Sequence, residues 1–167
     1  MKMLQDLLAI KRFREGQAET AMRQQRQAFL QAQEDRIAAE DLLARLLAEG
    51  VLAEQQLYQD LCARIVRLKD IQEVQQTVAA LRQREQNQQE ALEAAQRQQQ
   101  AAQEQLDQAR QNHKDAARQT SKFIDLASSF AALDALDSER REDLEMEEAA
   151  SVVREREDWH ATDDETA

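Results

Sequence analysis

Proline is missing from all 167 residues, and glycine occurs only twice, at Gly16 and Gly50. The two residue types that most readily end or kink a helix are therefore almost absent. Aromatics are also scarce, with four Phe, one Tyr and one Trp, which is too little bulk to fill a compact core in a chain of this length. The single cysteine, Cys62, cannot close an internal disulfide, so nothing points to an oxidising compartment. No stretch approaches the roughly 18 consecutive apolar residues of a membrane span. The first apolar residues are interrupted by Lys2, Gln5 and Asp6, which speaks against a signal peptide. A cytoplasmic address, with no direct membrane insertion, is expected.

What fills the chain instead is 29 Ala, 26 Gln and 19 Leu, all good helix formers. Such a composition suits a coiled coil, a bundle or a disordered chain, and periodicity decides among them. From Val74 the residues at alternating steps of four and three are Val78, Leu81, Glu85, Gln88, Leu92, Ala95, Gln99, Ala102, Leu106, Ala109, His113, Ala116, Thr120, Phe123, Ala127 and Phe130; counting Val74, twelve of these 17 are apolar. A heptad seam this long predicts a coiled coil. The first half carries a similar repeat on Leu4, Leu7, Lys11, Arg14, Ala18, Ala21, Gln25, Ala28, Ala32, Asp35, Ala39, Leu42 and Leu46. Beyond Leu46 the frame slips through Gly50 and Ala53 to Leu57, Leu61, Ile65 and Leu68, a pattern that locally unwinds a supercoil.

Asp70, followed three residues later by Glu73, reads as an N-cap with a capping box. The expected fold is an all-α, long antiparallel two-helix coiled-coil hairpin within residues 1–150. Helix one runs over about 2–63, the turn lies within 62–70 and helix two covers about 70–150. Each helix is then roughly 100 Å long. Residues 151–167 lack an apolar period in their last part and are expected to form an acidic, frayed or disordered tail. The rival arrangement is a homodimer of one long helix, serving as a structural spacer.

Net charge is −11, unevenly spread. Residues 1–26 hold six bases against three acids, whereas residues 139–167 hold twelve acids against four bases. The overall sign disfavours nucleic acid as a partner. A lipid-surface helix needs a basic polar face opposite aromatics, and the chain offers neither.

Catalytic chemistry finds no foothold. Cys62 has no base near it in sequence, and the two histidines, His113 and His160, lie far away along the chain. His113 falls on the seam, where a polar group can set register. No metal-ligand spacing, calcium-loop pattern or Gly-rich phosphate loop occurs. No catalytic residue, cofactor or metal is expected, and the protein is read as a non-enzyme. The N-terminus is more suggestive: Leu4, Leu7, Leu8, Ile10 and Phe13 give more apolar bulk than one narrow seam uses, with Lys11, Arg12 and Arg14 among them. These eight residues either cap the coil against the opposing helix or form a partner-binding tip.

Four segments carry a family likeness: Leu7-Leu-Ala-Ile-Lys-Arg-Phe-Arg14, Glu54-Gln-Gln-Leu-Tyr58, the run from Lys69 to Glu85, and Ser121-Lys-Phe-Ile-Asp-Leu126 ahead of an acidic end. On these the chain resembles the YscO family of type III secretion proteins and, more distantly, the flagellar FliJ proteins. The resemblance implies a hairpin similar to the coiled-coil stalk of rotary ATPases. It further implies insertion of the end bearing both termini into a hexameric secretion ATPase, promotion of that enzyme's assembly, and escort of export chaperones, all at an inner-membrane secretion apparatus. In the flagellar relatives an apolar set early in helix two contacts the export gate. Val74, Val78 and Leu81 match its spacing, while Glu85 stands where those relatives have histidine.

Overall fold

A computed structural model describes the backbone of residues 2–165 and the side chains of residues 2–163. Two helices account for nearly all of it: α1, Lys2–Cys62, and α2, Leu68–Glu165. Residues 63–67 connect them. No described residue adopts a positive φ, so α1 ends without the left-handed cap that often closes a helix.

Helix α2 begins two residues ahead of the Asp70 expectation, and its first turn explains why. The Asp70 carboxylate accepts the Arg67 N–H at 3.1 Å, while the Asp70 and Ile71 amides donate to the Arg67 carbonyl at 3.0 and 3.3 Å. Arg67 is therefore the N-cap and Asp70 the third helical residue, forming the returning half of a capping box. A carboxylate in this first turn also complements the helix dipole.

The other end departs further from expectation. Instead of stopping near residue 150 ahead of a disordered tail, α2 stays helical through Glu165. Ala, Glu and Arg favour helix there, and local pairs such as Arg141 Nη2 to Asp137 Oδ2, 3.0 Å, add to it. Residues 166 and 167 of the expected tail lie outside the described residues.

Contacts divide the chain into two units. One holds Gly16–Lys114; the other joins the start of α1, up to Glu15, with α2 from Asp115 onward. In the first, the helices pack as an antiparallel hairpin. Gln88 Nε2 donates to the Ala39 carbonyl at 3.1 Å, and nearer the turn Arg82 Nη2 meets Glu54 Oε2 at 2.7 Å. Ala32, Gly50, Leu92, Leu106 and Ala109 are its buried positions. In the second, Thr120 is buried and its hydroxyl lies 3.3 Å from the Lys11 carbonyl and 3.1 Å from that of Ala116.

Burial along α2 follows the anticipated seam from Val74 to Ala127, with Phe130 exposed. Along α1 it does not. The covered positions that form its frame are Leu4, Leu8, Lys11, Glu15, Ala18, Met22, Gln25, Phe29, Ala32, Arg36, Ala39, Leu43, Leu46, Gly50, Ala53 and Leu57, with Glu19, Gln33, Glu40 and Glu54 half-buried beside it and Leu61 beyond it. Six of the thirteen anticipated positions are therefore displaced by one residue, and the slip moves from Leu46 to the end of α1, where Leu61 is covered and Asp60 is exposed. Gly50 is an ordinary seam position inside a heptad frame unbroken as far as Leu57.

Candidate functional site: the N-terminal tip

The eight residues singled out at the N-terminus separate into two sets. Leu4, Leu8 and Lys11 lie half-buried on the seam. Lys11 is held twice: its carbonyl faces the Thr120 hydroxyl, and its ammonium sits 5.2 Å from the Phe123 ring centroid, within cation–π range. Its role is thus packing as much as charge. Leu7, Ile10, Arg12, Phe13 and Arg14 lie outside the seam and are exposed, Phe13 by 66%.

Three further residues belong with this tip. Met3, Phe130 and Asp134 line an open groove of about 350 Å³ together with Leu4 and Leu7. The groove exists because the apolar seam runs out here, leaving Phe130 47% exposed and Met3 76% exposed. Phe130 was readable as the last heptad residue; what the sequence did not indicate was that nothing closes over it. The tip therefore pairs an apolar groove and exposed Leu7, Ile10 and Phe13 with the cations Arg12 and Arg14.

The second candidate set is placed differently. Val74, Val78 and Leu81 are half-buried seam residues of the Gly16–Lys114 unit. Leu81 lines a small cavity of about 150 Å³ with Leu46, Glu49, Gly50, Ala53, Arg84 and Glu85. Packing between helices accounts for this set. His113 is likewise half-buried on the seam, and Cys62 is exposed at the end of α1. Among the described residues no three His, Cys, Asp or Glu side chains gather as a metal site, and no helix is long and apolar enough to cross a membrane.

An antiparallel two-helix coiled coil with a part-polar seam places the chain in the class of all-α helical hairpins. A family model described as "Type III secretion protein YscO" matches residues 4–152, and the chain belongs to that family. Among solved structures, the crystal structure of type III secretion protein YscO from Vibrio parahaemolyticus is similar, with a TM-score of 0.82 and 24% identity. The match covers 88% of this chain and 92% of that one. The two share the all-α hairpin fold. No curated protein sequence matches significantly.

Proposed function

We propose that this type III secretion protein is the central stalk of the secretion ATPase, promoting the assembly or activity of the hexamer by inserting a preformed helical end and catalysing nothing itself. Family membership supports the setting. The observation that carries the proposal is the tip, where Leu7, Ile10 and Phe13 stand exposed beside Arg12 and Arg14 although the seam beneath them is formed. Apolar side chains left open beside an open apolar groove favour burial in a partner. Escort of export chaperones and a gate contact through Val74, Val78 and Leu81 belong to the same proposal, as does a cytoplasmic position at the secretion apparatus. The gate contact would have to use the outer edges of these half-buried side chains.

The test is turnover of the purified ATPase with the full chain and with a variant lacking residues 2–13. Stimulation by the full chain that disappears on truncation supports the stalk. An ATPase indifferent to the full chain refutes it. Light scattering separates the rival: a species of 19.2 kDa is the monomer, whereas twice that mass favours the homodimeric spacer.

A further inference from the structure

Every described residue from Phe130 to Asp163 on α2 is exposed, although helices of this length owe most of their stability to packing of an apolar face. Such a face is present. At 3.6 residues per turn, Phe130, Leu133, Leu144, Val152 and Trp159 fall within an arc of about 100°. They are 47%, 61%, 59%, 49% and 75% exposed. Asp134, Asp137, Glu148 and Glu155 share that arc with one cation, Arg141. Asp137 is held by Arg141 at 3.0 Å, leaving Asp134, Glu148 and Glu155 as the acids interleaved with the apolar residues. Residues 131–163 carry twelve acids against four bases, a balance of −8.

The charge selects the occupant. A second copy of this chain pairing through the same strip would bring another −8 to the interface, and like charges beside a helical seam disfavour pairing. A helix with an apolar stripe interleaved with Lys or Arg meets both features of the face, and it would gain in rate as well as affinity from the field. We infer that residues 130–160 of α2 are a docking strip for a basic amphipathic helix of a partner protein. The strip shares Phe130 and Asp134 with the tip groove, but the inference is carried by the exposed face from Leu133 to Trp159 and does not rest on the ATPase reading.

Trp159 is the only tryptophan and reports directly on coverage of the strip. The full chain is titrated with two tryptophan-free helical peptides that share a leucine seam, one with Lys and the other with Glu at the flanking positions. The expected result is a blue shift of Trp159 emission with the Lys peptide, at an affinity at least ten times that for the Glu peptide. The double variant Glu148→Lys, Glu155→Lys lies on an exposed surface and should reverse the preference, and Leu144→Asp should abolish the shift. Equal response to the two peptides, or none to either, overturns the inference. So does a blue shift that grows with protein concentration alone while the scattering mass doubles, because a second copy would then cover the strip.

Discussion

Two glycines in one helix offer a controlled comparison, since both interrupt α1 but only one meets its neighbour. A Cβ built at Gly16 finds nothing within 4 Å, so Gly16→Ala should recover only the helix propensity, about 0.5–1 kcal/mol. At Gly50 the new Cβ would overlap Glu85 Oε1, with the carboxylate carbon 3.5 Å away. The Glu85 side chain is only 12% exposed, and its other oxygen lies 3.4 Å from Arg82 Nη1. Displacing it strains a rotamer, at about 0.5–1.5 kcal/mol, and loosens a partly exposed ion pair worth at most about 1 kcal/mol. Set against the propensity gain, these costs leave Gly50→Ala between about neutral and about 2 kcal/mol destabilising.

The refuting result comes from the double-mutant cycle. With Glu85→Ala the obstruction is gone, and Gly50→Ala should then stabilise by its propensity gain plus the burial of a methyl, together about 1.5 kcal/mol. The coupling energy between the positions is thus on the order of 2 kcal/mol. Urea unfolding followed by helical circular dichroism measures all four variants. If Gly50→Ala stabilises as much as Gly16→Ala whether or not Glu85 is present, then Glu85 does not cross the seam over Gly50 and the packing of this layer is wrong.

By the same assay, Leu106→Ala, at a side chain 2% exposed, should cost about 2–3 kcal/mol, because a narrow seam can partly collapse around the hole. Leu133→Ala, 61% exposed, should stay within about 0.5 kcal/mol of the parent. Cys62 is exposed, so a thiol reagent should modify it to completion in the absence of urea; protection relieved only on unfolding would contradict the position of the α1 terminus.

How much of this could be read from the residues depended on how unevenly bulk is distributed between neighbours. In α2 the seam residues Leu92 and Leu106 are flanked by Glu, Gln and Asp or by Ala, and the phase is unambiguous. In α1, adjacent apolar pairs compete: Leu7 with Leu8, Ala21 with Met22, Ala28 with Phe29, Leu42 with Leu43. Counting apolar positions does not separate the two frames, since each has nine in thirteen and Glu15 and Arg36 merely replace Arg14 and Asp35. The structure covers Met22 and Phe29 rather than Ala21 and Ala28, since burial scales with apolar area and those side chains have far more of it. Arg36 tolerates the seam by extending its head to Glu40, 2.6 Å away. Weighting by area would have found the continuous frame through Gly50 and moved the apparent slip away from Leu46. At the tip, Leu7 and Phe13 were visible as surplus bulk, whereas the open groove at Met3 and Phe130 depends on where the two helices cease to overlap, which no local pattern encodes. Likewise, the helical state of residues 151–165 was hidden because the absence of a seam indicates a missing partner and does not by itself indicate a missing helix.

The same part-polar seam explains why one pairing should prevail over its near equivalents. A seam made of Ala, Gln and scattered Leu looks nearly alike after a shift of seven residues, so apolar burial alone discriminates weakly among registers. Polar layers supply the difference. In the Gly16–Lys114 unit Gln88 donates to the Ala39 carbonyl and Glu85 packs over the one seam position without a side chain, Gly50. A displacement of one heptad would set Glu85 against Leu43 or Leu57, where an apolar side chain blocks its path. In the other unit Thr120 and Phe123 both engage Lys11. Each such layer adds little stability, yet each is lost in any shifted pairing, so the cost of misregister accumulates while the native seam stays thin. A coil built this way gives up packing strength and retains a single register in each unit.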